Sequence, residues 1–321
     1  MSAKTANGFS LVELMIVLLM VALIGIFVGQ TLAASERAHQ SVDQTVESQQ
    51  NLRAVLDMLE RDLRHAGFMM PEAASVCGID ATTGPDTLYL ADSTIIDPQD
   101  DVAEYAAPTI TGGSVSSGTG TLTLSSLVVE NDPLRAALDT DGNGTNDSDF
   151  REGGGVIIVS SNPALGPTCG VVNSVNPGSS SINVTLVGGI TSGTAPYRIV
   201  PANLYQISGG SLEWNGFTLA GNVEDFQVAW IFDPNGNSVI DAGEVYGSQG
   251  GTAYTRAGEN AADIREVRVN LVSRTRLEAE DFPEGRPQIF ENRNGGGFVS
   301  DGFRRRAVTS TIRLRNVGFR S

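Results

Sequence analysis

The sequence predicts an α+β chain in which a long N-terminal helix packs, by its second half, on an antiparallel β-sheet body with long loops. Three observations predict it. An apolar run of membrane length opens the chain, with Glu13 as its only charge. No proline interrupts the sequence before Pro71. Beyond Pro71 the pattern changes to short alternating segments bounded by Gly, Asn, Asp and Ser, which mark strands and turns.

Met1 to Gly8 reads as a cytoplasmic leader, held inside by the charge of Lys4. Phe9 to Gly29 then supplies the roughly 20 apolar residues that cross about 30 Å of hydrocarbon. A carboxylate inside such a run costs about 2.5–3.5 kcal/mol on insertion scales, so Glu13 reads as a functional residue that needs a partner. A secretory signal cleaved near Ala33-Ala34-Ser35 and a plain anchor are the simpler readings, and neither explains that Glu. Gly25 and Gly29 are spaced for close helix approach, and are equally ordinary in membrane helices.

The helix is expected to continue from about Ser10 to His65, roughly 80 Å at about 1.5 Å per residue. Gln30 to Arg64 is rich in Ala, Gln, Glu, Leu and Arg, all good helix formers. Leu52, Val55, Leu56, Leu59 and Leu63 form one apolar stripe for a sheet to cover. Asp57 with Arg61, and Glu60 with Arg64, sit four apart on the exposed side. Gly67 followed by Pro71 provides the stop.

In the body, strands are expected at 87–90, 121–124, 156–159, 170–172 and 182–186. Tyr205 to Ile207 and Leu212 to Trp214 flank Gly209-Gly210, a two-residue hairpin turn. Val223 to Phe232, the stretch around Val267 to Leu271 and the stretch around Val308 to Leu314 alternate clearly. The last two of these are expected to pair and to cover the helix stripe.

The 321-residue chain carries a net charge of −16, and Lys4 is its only lysine. Such a balance argues against nucleic acid as a general partner, because phosphate contacts need clustered Lys and Arg. Arg304, Arg305 and Arg306, with Arg313 and Arg315, are the one dense basic group; it could touch DNA, but such runs more often pair with acidic neighbours. Cys77 and Cys169 are the only cysteines. Outside the inner membrane they are free to form a disulfide, the alternative being two buried thiols. His39 and His65 both fall on the helix and read as solvated residues. With no nucleophile pattern, no zinc spacing and no phosphate-cradling loop, the chain reads as a non-enzyme.

Two acidic loops follow calcium-loop spacing. In the first, Asp233, Asn235, Asn237, the Val239 carbonyl, Asp241 and Glu244 fall at positions 1, 3, 5, 7, 9 and 12 of an EF-hand-type loop. Ser238 stands where the sharp turn usually has Gly, and strands replace the usual helices. In the second, Asp139, Asp141, Asn143, Asp147 and Asp149 supply oxygens, but Phe150 occupies the position of the bidentate acid. Both read as structural Ca2+ sites, the second the weaker.

Gly8-Phe9-Ser10-Leu11-Val12-Glu13 before the apolar run resembles the cleavage signal of type IV pilins and type II secretion pseudopilins. The resemblance implies cutting between Gly8 and Phe9 by a prepilin peptidase and N-methylation of Phe9. It also implies that Glu13 pairs with the terminal amine of a neighbouring subunit during assembly. Val223-Glu224-Asp225-Phe226-Gln227-Val228 and the ending 304–316 resemble the PilW family of minor pilins, with pseudopilin J a related design. The implied fold is the pilin lollipop. Residues 1–8 would be the leader, 9–29 the transmembrane and filament-core helix, 30–67 the amphipathic stem and 68–321 the β-rich body, with 73–221 as a specialised insertion. The implied role is in starting type IV pilus assembly, at the tip. Partners would be other minor pilins, the major pilin and the inner-membrane assembly platform. The chain would wait in the inner membrane, N-terminus inside, and then move to the pilus at the cell surface. A type II secretion pseudopilin, or a tip adhesin or DNA-uptake pilin, is the alternative.

Overall fold

The structure, a computed structural model, describes residues 10–91, 106–113, 117–129, 147–162, 165–188, 197–237, 239–241, 243–248, 254–255, 260–278, 291–293 and 301–317. The chain divides into two compact units, Met1–Glu47 and Ser48–Ser321. One helix, α1 (Leu11–His65), contributes to both. Within the first unit its large apolar residues from Leu11 to Val28 are exposed. A helix apolar all round and uncovered by protein is what a bilayer or a neighbouring helix would cover.

In the second unit the helix presents the predicted stripe. Leu52, Val55, Leu59 and Leu63 are buried, and Leu56 is half-buried. Full burial stabilises by about 1.5–3 kcal/mol per such side chain, which is enough to hold the segment on the body. Two polar contacts fix its register: the Tyr205 hydroxyl donates to Asp62 Oδ2 at 2.6 Å, and Ser48 bonds Ser273. Of the two expected surface pairs, Glu60–Arg64 forms at 2.9 Å, while Arg61 sits against Asp62 at 3.4 Å. The chain leaves the helix through Gly67 at φ +79°, a left-handed conformation that glycine adopts without strain. Asn316 Nδ2 then caps the last carbonyls, those of Arg64, His65 and Ala66.

Fourteen strands follow among the described residues: β1 (Val76–Ile79), β2 (Thr87–Leu90), β3 (Ile110–Gly112), β4 (Gly118–Leu124), β5 (Gly155–Ser160), β6 (Thr168–Asn176) and β7 (Ser181–Val187). After these come β8 (Tyr197–Ser208), β9 (Ser211–Trp214), β10 (Phe217–Gly221), β11 (Val223–Phe232), β12 (Val245–Tyr246), β13 (Ile264–Arg274) and β14 (Arg305–Arg313). They build two antiparallel sheets. The larger runs β1-β2-β8-β5-β6-β7-β4-β3, with β9 and β10 continuing from β8. The smaller runs β12-β11-β13-β14. The expected pairing of the last two long strands is present, Val267 opposite Ile312 and Leu271 opposite Val308. Gly209 and Gly210 both have positive φ and turn β8 into β9, as predicted.

Three apolar clusters fill the body. The first joins the helix stripe to both sheets around Trp230, Phe226 and Tyr205. The second lies under β4, β5, β6 and β7. The third contains Tyr89, Ile157 and the Cys77–Cys169 disulfide, which ties β1 to β6. Where the sheets meet, Asp86 stands in for a strand residue. Its N–H donates to the Phe226 carbonyl at 2.8 Å, and its carboxyl group accepts from Val228 N at 2.7 Å and Ala81 N at 2.8 Å.

Candidate functional site

Two features bear on function: the apolar helix with its acid, and the loop 233–244. Glu13 lies in the first turn of α1, exposed among Leu and Ile side chains. A helix start is where a carboxylate is best tolerated, since the backbone N–H dipoles point at it. Gly8 and Phe9, the expected processing site, lie outside the described residues.

The loop between β11 and β12 folds back on itself through its predicted ligands. The Asn237 N–H donates to Asp233 Oδ1 at 3.0 Å and to Asn235 Oδ1 at 2.9 Å, and the Val239 N–H donates to Asn237 Oδ1 at 2.7 Å. Glu244, buried at the far end, takes Asn235 Nδ2 on one oxygen and the Asp241 N–H on the other, at 3.0 and 2.9 Å. Asp233, Asn235, Asn237 and Glu244 are thus linked within one loop, into which Asp241 is tied by its backbone N–H, and oxygen donors of this kind are those a hard cation takes. Arg265 Nε approaches Asp233 Oδ2 at 3.7 Å and already offsets part of the charge. Among the described residues no group of three or more His, Cys, Asp or Glu is placed to hold a metal ion, so amide and carbonyl oxygens would have to complete any shell. Of the second loop, Asp139, Asp141 and Asn143 lie outside the described residues. Asp149 is buried and accepts the Val129 N–H at 2.6 Å.

Residues 194–316 match the family model described as Type IV Pilus-assembly protein W. The C-terminal part of the chain thus carries a PilW-type region. A type IV-like pilin from Thermus thermophilus is similar at 11% identity and a TM-score of 0.31, the match covering 84% of this chain and 97% of that one. No curated protein matches it. The PilW match takes in β8 to β14 and leaves β1 to β7 outside.

Within the PilW-matching segment one member of the basic run, Arg305, is neutralised. Arg305 is buried and forms ion pairs with both Glu224 and Asp301. Those acids hold its guanidinium charged, and its hydrogen bonds in turn lower the Asp301 pKa. Arg274 stacks over the Phe303 ring at 4.6 Å. At Arg305 the acid-pairing reading holds.

Sequence reasoning missed a strap of three consecutive residues. Glu291 binds Arg268 and Asn270, Asn292 binds Asp80, and Arg293 pairs with Asp225. Its four anchors lie 21 to 212 residues away in sequence, beyond the reach of any helix or strand period. Asp86 was missed for the same reason.

Proposed function

We propose that the chain is a PilW-type minor pilin, a non-enzymatic subunit that takes part in initiating type IV pilus assembly and sits at the pilus tip. The observation that carries the reading is Glu13 at the head of an exposed apolar helix, in a chain whose C-terminal region matches PilW. Before assembly the bilayer covers the helix. A neighbouring subunit's methylated terminal amine, freed by prepilin peptidase, then neutralises Glu13, so the cost of a buried charge drives docking between subunits. Other minor pilins, the major pilin and the inner-membrane platform are the partners this implies. The strands outside the PilW match form the part that a tip subunit would display to its surroundings. The test is Glu13→Leu in producing cells. Pilus number should fall at least about tenfold, the factor that about 1.4 kcal/mol of lost coupling gives. Normal piliation would overturn the proposal.

The loop 233–244 is proposed to hold a structural Ca2+. Asp233, Asn235, Asn237, Asp241, Glu244 and the Val239 carbonyl would ligate it, and the ion would fix the loop between β11 and β12. Chelation of the full-length chain in detergent should lower the melting midpoint, and Glu244→Gln should remove that response. A midpoint indifferent to both calcium and chelator would eliminate the site.

A further inference from the structure

The five central strands at one end of the larger sheet share a property that their neighbours lack. Ala106 to Val129 and Gly153 to Tyr197 contain no Asp, Glu, Lys or Arg. At this chain's 18% charged residues, stretches of that combined length would hold about a dozen. The fold brings the two stretches together, since β5, β6, β7, β4 and β3 are consecutive neighbours in the sheet. A chain of net charge −16 therefore carries one lobe made without charge.

That lobe is polar on its outer face. Leu122, Ile182, Val184 and Leu186 turn inward to the core, and the intervening positions turn outward. There Thr119 Oγ1 bonds Thr185 Oγ1 at 3.0 Å. Asn173 Nδ2 donates to Thr185 Oγ1 and to Asn183 Oδ1, both at 2.9 Å. Asn183 Nδ2 reaches Thr121 Oγ1 at 3.3 Å. Three strands are thus cross-linked by a chain of hydroxyls and amides lying at the surface.

The mutual bonds fix the rotamers of these side chains but leave much of their capacity unused. A hydroxyl offers one donor and two acceptor sites, and an amide offers two of each. A ligand that meets this face finds donors and acceptors already ordered, so it loses little further conformational entropy on binding. It also finds nothing to compensate a charge of its own. An anionic or cationic partner would give up its hydration without gaining a counterion, and an apolar partner would strand the hydroxyls. A neutral polymer with many hydroxyls matches on both counts.

We propose that the outer face of β4, β6 and β7 is a binding surface for a neutral polysaccharide, with Thr119, Thr121, Asn173, Asn183 and Thr185 as its contact groups. The proposal rests on the tip-pilin reading, because only a displayed subunit would meet such a polymer. The test uses the full-length chain in detergent and two probes, insoluble cellulose and insoluble chitin. The chain should be retained on at least one of them, and retention should be unchanged between about 0.05 and 0.5 M salt, where screened charge contacts would weaken. The triple variant Thr119→Val, Thr121→Val, Thr185→Val removes hydroxyls with little change of shape and should lose at least about tenfold in retention, or about 1.4 kcal/mol. A second variant, Thr121→Lys with Thr185→Lys, should lose binding without new apolar surface, and near-UV circular dichroism reports whether either is folded. Failure of the parent to bind either polymer, salt-sensitive retention, or unchanged binding by both folded variants would overturn the proposal. So would concentration-dependent self-association through this face in place of polymer binding. Pilus counts in cells bearing the triple variant separate the two readings: piliation should stay at the parental level whether or not the polymer is bound.

Discussion

Asp86→Asn tests the junction between the two sheets, and pH gives the test its sign. Asp86 is 1% exposed, and burial pushes its pKa from 3.8 up to about 8. Asp80 and Asp225 add to the rise, while the N–H groups of Ala81 and Val228 oppose it. A carboxyl whose folded pKa is raised contributes stability that is fully present below its unfolded pKa and is lost as pH rises through the folded one. Between about pH 4 and 8 the folded chain keeps the proton and the unfolded chain releases it. Stability therefore falls by about 1.4 kcal/mol per pH unit on account of this one group. Asn cannot titrate, and its single acceptor oxygen leaves one of the two N–H donors unpaired, at about 1–3 kcal/mol. The variant should be less stable than the parent at about pH 5, and the gap should shrink by about 3 kcal/mol on going to about pH 7. Urea unfolding of the full-length chain in detergent, followed by the fluorescence of Trp214 and Trp230, measures both. A gap that stays constant, or widens with pH, would show that the two N–H bonds hold Asp86 ionised and would refute the reasoning.

Two further outcomes concern packing. Cys77→Ser with Cys169→Ser opens a bridge spanning 92 residues and should lower unfolding free energy by about 4–5 kcal/mol in the chain-entropy account, read as a shift in urea midpoint. Gly78→Ala places a Cβ 2.3 Å from Trp230 Cζ2 and should cost about 1–3 kcal/mol or more, with a changed Trp230 near-UV signal.

How far the fold was readable depended on how local each signal was. The helix, its Gly67 stop and the stripe from Leu52 to Leu63 follow from spacing over a few turns, and the structure has them. The Gly209-Gly210 turn is similarly local, because only two residues decide it. β11 was legible to the residue since its alternating pattern runs over 10 residues. By contrast β3 is three residues without alternation, and β1 is a short buried run that reads as loop. Asp86 and Asp62 reach Val228 and Tyr205, 142 and 143 residues distant, and the strap at Glu291–Arg293 reaches partners 21 to 212 residues away; no period in the sequence records such contacts. The loop 233–244 was legible as a spacing of oxygens, but the approach of Arg265 to Asp233 was not.

β8 connects the PilW-type region to the strands outside it. Its residues 197–202 pair with β5, outside the family match, while 203–205 pair with β2 and 205–208 with β9. That junction is written in peptide groups, and the Cys77–Cys169 bridge and the packing of Tyr89 with Ile157 add side chains to it. A foreign segment spliced in place of β3 to β7 would need one antiparallel strand at the same six positions, apolar residues to cover Tyr89 and a cysteine facing Cys77. The strand acts as a socket with a covalent pin beside it, and the lobe mounted on it is the exchangeable part.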